Sequence, residues 1–141
     1  MSTALFDRVN DSFKRQGMMQ NLGARLVRVA VGEVEFALPK SDKVTQQQGS
    51  FHGGALGTLA DISCGYAALT VCPEGMEVTT VEYKINFVSA AVGDEVVCIG
   101  KVQKAGRTLT ITNAEIYDIQ DGKRKLCGLM QATMIAVAKT Y

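Results

Sequence analysis

With a single histidine, His52, and no Cys-x-x-Cys pair, the chain lacks the ligand pattern of a zinc cluster. It also lacks an excess of charge of either sign: 15 Lys and Arg stand against 14 Asp and Glu. A nucleic-acid binder usually carries a basic face, and a disordered chain combines unbalanced charge with few apolar residues. Neither description fits a near-neutral sequence that is 47% hydrophobic. The opening stretch MSTALFDRVNDSFKRQG has charges inside its apolar pattern and no continuous apolar core, so it does not read as a secretory leader. Residues 52–72 approach the length of a membrane span, but Asp61, His52 and several glycines speak against lipid. No linker, repeat or low-complexity segment divides the 141 residues. They fit one domain, 1–141, large enough to bury its own core, with an N-terminal helix and lead-in over 1–20. Cys64, Cys72, Cys98 and Cys127 lie in apolar runs and read as free, buried thiols. The expectation is a cytoplasmic protein with no metal, no cofactor, no nucleic-acid partner and no membrane.

What is present has two periodicities. Leu5, Phe6, Val9 and Phe13 fall at helical spacing. From residue 25 the period becomes two. Leu26, Val27, Val29 and Val31, then Val34, Phe36 and Leu38 after Gly32, read as a hairpin. The polar stretch KSDKVTQQQGS reads as a loop. Residues 52–72 are rich in Ala, Leu and Gly with no alternation, and read as a helix apolar nearly all round, hence buried. Its many small residues, among them Ala60, Ser63 and Ala67, would let a neighbouring backbone come close. Pro73 and Gly75 end it. Four strands follow: Val81–Phe87, then 94–105, 107–119 and 125–138, with turns at Ala105-Gly106 and Asp121-Gly122. The expected fold is α+β, a hairpin, a buried helix and an antiparallel meander forming one sheet with one helix to cover.

Asp61 is the chemical anomaly in that helix. No Lys or Arg lies within eight residues of it on either side. A buried charge is costly unless paired, so an acid in so neutral a setting is a candidate for catalysis. A structural acid that caps or pairs elsewhere is the competing reading. His52-Gly53-Gly54 stands where the helix begins. The first amides of a helix lack internal partners, and glycine lets a substrate approach them closely. Such amides hold an anion or a developing oxyanion; a plain glycine-rich helix start is the alternative. Together the two features point to acyl transfer. Gly53 and Asp61 are separated by eight residues, ~12 Å along a helix. One carbonyl cannot touch both, so if both act on one bond they come from different chains of a dimer. A Cys64–His52 pair, ~18 Å apart on one helix, meets the same obstacle. His52 reads rather as fixing its loop through a hydrogen bond. Ser50 has no Gly-x-Ser-x-Gly context. Lys104, Gly106 and Arg107 form either a solvated hairpin end or a phosphate contact.

Gln46, Gly49, His52-Gly53-Gly54 and Leu59-Ala60-Asp61 together resemble the signature of hotdog-fold acyl-CoA thioesterases, specifically the PaaI-like (phenylacetate-degradation type) group. The resemblance spans roughly residues 25–137 and implies a hotdog fold, a long helix wrapped by an antiparallel sheet, assembled as a homodimer and often a homotetramer. By position it implies that Asp61 is the catalytic acid, as nucleophile or as general base for water. It implies that the Gly53 amide polarises the thioester carbonyl, with Gln46 near the thioester or the attacking water. Thr80 matches a hydroxyl position close to the acid in the partner chain. The implied substrate is an acyl-CoA, its acyl end in an apolar pocket near the helix and its phosphates near Lys104, Arg107 and Arg124; Gly54 and Gly106 join the substrate-binding set. Aryl-acetyl, benzoyl and medium-chain acyl groups all remain open. A thioesterase acting on acyl carrier protein and a non-catalytic acyl-CoA sensor are the alternatives, though no DNA-binding segment is appended.

Overall fold

The computed structural model describes residues 3–141. Two short helices, α1 (Thr3–Phe13) and α2 (Gly17–Leu22), precede a hairpin of β1 (Arg25–Ala30) and β2 (Glu33–Pro39). The long helix α3 (Gly53–Leu69) follows, then β3 (Met76–Phe87), β4 (Glu95–Ala105), β5 (Leu109–Gln120) and β6 (Lys123–Ala138). The six strands form one sheet in the order β1-β2-β4-β5-β6-β3, every pair antiparallel. The sheet wraps around α3, which is the hotdog architecture. No helix among the described residues is long and apolar enough to cross a membrane.

The expected meander is corrected in one respect. Of the four strands after α3, only β4, β5 and β6 are consecutive neighbours; β3 pairs with β6 at the far edge, and β4 lies beside β2. The burial of the strands explains the choice. Val96, Val97 and Cys98 of β4 are all buried, as a central strand covered on both faces requires. In β3 the charged Glu82 and Lys84 alternate with Tyr83 and Ile85, a pattern that an edge strand tolerates. Two β-bulges also shift the expected alternation. Register slips between Leu26 and Arg28, so Leu26 and Val29 turn to the core while Val27 and Val31 stay exposed. A second slip between Thr80 and Glu82 turns Val81 outward, at 53% exposure.

The helix ends at Leu69, three residues before the expected limit. Thr70 Oγ1 donates to the Ala67 carbonyl at 2.6 Å and accepts the Gly32 amide at 2.7 Å, tying the helix end to the β1–β2 turn. Arg8 of α1 donates to the carbonyls of Cys72, Pro73 and Met76 beyond it. Phe13, Phe36 and Tyr66 pack with ring centroids 5.0–6.4 Å apart and join α1, β2 and α3.

The small residues of α3 have a measurable partner. A Cβ added to Gly100 on β4 would sit 2.2 Å from the Ser63 carbonyl oxygen, so sheet and helix backbones touch there. Gly100→Ala must push the helix off the sheet. Denaturant titration should show a loss of at least ~2 kcal/mol, the scale of core overpacking. An unchanged midpoint would mean that the helix floats freely over β4.

Candidate active site

The chain from Val44 to Gly54 is closed on itself before α3 begins. His52 N–H donates to the Val44 carbonyl at 2.8 Å, and Thr45 bridges Phe51. Gln46 N–H donates to the Ser50 carbonyl at 2.9 Å, and Gly49, at a φ of 88° that favours glycine, donates back to the Gln46 carbonyl. The side-chain oxygen of Gln46 accepts the Gln48 amide. His52 is the N-cap: its Nδ1 accepts the Gly54 N–H at 2.8 Å. The expected loop-fixing histidine is therefore found, with a correction for Gly54, whose amide is taken and is not free for substrate. The Gly53 N–H has no partner among the described residues. A Cβ at Gly53 would lie 3.2 Å from the Phe87 ring, so the Phe87 end of β3 shields one side of this amide.

Asp61 lies further along α3, half-buried and facing β3. Thr80 Oγ1 donates to Asp61 Oδ1 at 2.7 Å. The hydroxyl expected from a partner chain thus comes from the same chain, because β3 passes directly beside the helix at this point. Asp61 forms no ion pair among the described residues. One carboxylate oxygen is oriented by Thr80, the other has no hydrogen-bond partner among the described residues, and Asp61 lines a cleft of about 200 Å3. Ile62, Leu69 and Val78 line part of that cleft, but so do Ser12, Gln16, Tyr66 and Glu77. The expectation of an apolar pocket is corrected accordingly. Helix α1 and the turn after it cover this end of α3, and they bring polar side chains with them.

Cysteine chemistry does not compete. Burial pushes the Cys64 thiol up to about 12, so it stays protonated and non-nucleophilic near neutral pH.

Within one chain the two halves of the site stay apart. Gly53 and Asp61 are ~12 Å apart along the helix axis. Their markers on β3, Phe87 and Thr80, are seven residues apart, ~23 Å of strand. Lys104 lies at the end of β4, and Gly106 and Arg107 in the β4–β5 turn, at the Asp61 end of the sheet. Ala105 faces Thr110, Thr110 faces Met134 and Met134 faces Thr80, three strand spacings or ~14 Å across. Neither Lys104 nor Arg107 has a side-chain partner among the described residues, and both are exposed. Arg124 does not join them. It pairs with Ile119 at the opposite end of β5, ~35 Å from Leu109, and donates to Glu35 Oε1 at 3.1 Å on the sheet face away from α3. That distance removes it from the expected phosphate group within one chain.

The geometry has relatives among known proteins. The family model described as "Thioesterase superfamily" matches residues 48–125. A thioesterase family protein from Silicibacter pomeroyi is 39% identical, with a TM-score of 0.92 over 96% of this chain and 99% of that one. Human acyl-coenzyme A thioesterase 13 is 30% identical over 99 residues, 70% of each chain. The E. coli PaaI protein from the phenylacetic acid degradation operon shares the fold at 19% identity, with a TM-score of 0.85 over 96% of this chain and 95% of that one.

Proposed function

Because the chain belongs to the thioesterase superfamily and is a thioester hydrolase, we propose that it cleaves an acyl-CoA to free acid and coenzyme A at a site shared by two copies. The observation that carries this reading is the division of the functional groups into two halves at opposite ends of an edge strand. Gln46, His52 and Gly53 gather at the Phe87 end; Asp61 and Thr80 gather at the other. The free edge of β3 exposes Val81, Tyr83 and Phe87, each by more than 45%. Antiparallel pairing of β3 with a second β3, centred between Tyr83 and Lys84, would set Thr80 of one copy opposite Phe87 of the other. The Gly53 amide of one chain would then approach Asp61 of its partner.

In this arrangement the thioester oxygen accepts the free Gly53 N–H, with Gln46 beside it. Thr80 holds one oxygen of Asp61, and the other takes a proton from water as the water oxygen adds to the carbonyl carbon. The negative charge that develops on the carbonyl oxygen is held by the helix-terminal amide. Collapse breaks the C–S bond, and the proton on Asp61 passes to the departing thiolate. Direct attack by Asp61 uses the same oxygen and gives a mixed anhydride that water then cleaves. A single turnover in H2(18)O separates the two: direct addition of water puts the label in the acid product, whereas an anhydride opened by water at the Asp61 carbonyl leaves the label in Asp61 and the product unlabelled.

The unpaired Lys104 and Arg107 beside Gly106 are assigned to the coenzyme phosphates. Arg107→Ala should raise KM for acyl-CoA several-fold with kcat little changed, the pattern of binding lost equally from ground and transition states. A thioester carrying only the pantetheine arm should not register the change. Equal kinetics of both enzymes on both substrates would reduce the turn to a solvated hairpin tip. Carrier protein is the competing donor of the acyl group, and turnover of one acyl group on coenzyme A and on carrier protein distinguishes them. We assign the assembly as a dimer that extends to a dimer of dimers, measurable by sedimentation, and the location as the cytoplasm, for which the four free thiols are the support.

A further inference from the structure

The far end of the Asp61 cleft is built from hydrogen-bonding groups that hydrolysis itself does not require. Tyr66 is the only large aromatic side chain in α3. It is 4% exposed, and its hydroxyl accepts Gln16 Nε2 at 2.8 Å and meets Ser12 Oγ at 3.1 Å. Glu77 stands beside them on β3 and accepts a hydrogen bond from the Tyr141 hydroxyl. All four lining groups, Ser12, Gln16, Tyr66 and Glu77, face the same small cleft as Asp61. Among the described residues of one chain no Lys or Arg lines it, while Arg8 and Lys139 share a neighbouring cleft with Glu77. Tyr66 lies five residues beyond Asp61, ~7.5 Å along the helix.

Four physical consequences follow for what fits. A cavity of ~150 Å3 takes a benzene molecule, so about 200 Å3 has room for one ring or a short chain. An alkyl end placed against Gln16 and Glu77 would strip them of water and offer nothing in return, which is unfavourable. A carboxylate end would meet two acids, Glu77 and Asp61, with no cation in the lining to offset them. A hydroxyl or other donor meets carboxylate and amide oxygens that accept it. Burial meanwhile pushes the Tyr66 phenol up to about 12, so it stays neutral and adds no charge of its own at working pH.

We propose that Ser12, Gln16, Tyr66 and Glu77 are the specificity-determining end of the acyl cleft, which selects a short acyl group ending in a hydrogen-bond donor over an alkyl or carboxylate end of the same length. The proposal rests on the reading above that the thioester is held at Asp61.

The test uses three CoA thioesters of matched length: hexanoyl, 6-hydroxyhexanoyl and adipoyl. A six-carbon chain, extended, spans a length comparable to the offset from Asp61 to Tyr66. Wild-type enzyme should show kcat/KM at least fivefold higher for the hydroxyl end than for the methyl end, with adipoyl lowest. Glu77→Gln removes the negative charge and keeps the shape. It should raise turnover of adipoyl-CoA at least fivefold and leave hexanoyl-CoA within twofold, a selective change that loss of fold would not give. Tyr66→Phe provides a second probe, expected to narrow the ratio of hydroxyl to methyl ends. Equal kcat/KM for all three thioesters in the wild type, or a Glu77→Gln enzyme with unchanged ratios, overturns the proposal and leaves the hydrolase assignment of Asp61 standing. Hydrolysis of none of the three, nor of any aryl thioester, overturns the reading of the site itself.

Discussion

Asp61→Asn is expected to lower kcat by ~10²–10⁴-fold, the range over which a positioned general base acts. Asparagine keeps the shape of the side chain and keeps an oxygen that can accept the Thr80 hydroxyl, at 2.7 Å in the native protein. The helix should therefore hold its place, and thermal unfolding should match the wild type. What is lost is the basic oxygen that Thr80 does not hold, which serves both the water-activating and the nucleophilic route. Substrate binding, read from KM or from a non-hydrolysable analogue, should change little. A variant that keeps more than a tenth of kcat, a barrier change below ~1.4 kcal/mol, would remove Asp61 from the chemistry.

The second large effect belongs to Gly53. Replacement by proline deletes the one helix-terminal N–H that has no partner among the described residues. Proline is tolerated at the first helical position, where Gly53 stands, so the fold should survive. Loss of one oxyanion donor costs ~10²–10³ in kcat. The Phe87 ring, 3.2 Å from a Cβ at this position, must give slightly in any substitution. Gly53→Ala supplies the control: it makes the same contact and keeps the amide. The alanine enzyme should retain most of the activity that the proline enzyme loses; equal losses in both would trace the effect to Phe87 and not to the amide.

Of the candidate site, the sequence made the local features legible; of the fold, it showed the elements better than their neighbours. Asp61 stood out because its helix has no nearby cation, and the structure gives it a hydroxyl from Thr80 in place of an ion pair. The loop-fixing role of His52 was legible because a side chain just before a helix can reach its first amides. The same logic overcounted Gly54, since the cap consumes one of the two glycine amides. Strand order was not legible. Alternation reports which face of a strand is buried and says nothing of its neighbour, so β3 could not be told from a strand of the β4–β5–β6 meander. The bulges at Val27 and Val81 each broke a period of two that the residue types alone appeared to continue. The polar end of the cleft was missed because Ser12 and Gln16 come from a segment far from α3 in sequence. Tyr66 was its one available signal, a lone phenol in a helix otherwise built from small and aliphatic residues. Arg124 was grouped with Lys104 and Arg107 by the resemblance alone; it follows the turn at the other end of β5, and the length of that strand keeps it apart from them within one chain.

The shared site is tested most directly by mixing the two inactive enzymes. Asp61→Asn and Gly53→Pro subunits, differently tagged, are allowed to exchange, and the heterodimers are isolated. If each site takes Asp61 from one chain and Gly53 from the other, a heterodimer holds one site with both lesions and one with neither. Its acyl-CoA hydrolysis should then return to about half the wild-type rate per dimer, from parents that are each reduced by ~10² or more. Heterodimers that are shown to be folded and paired, yet hydrolyse no faster than their parents, would contradict a site built across two chains.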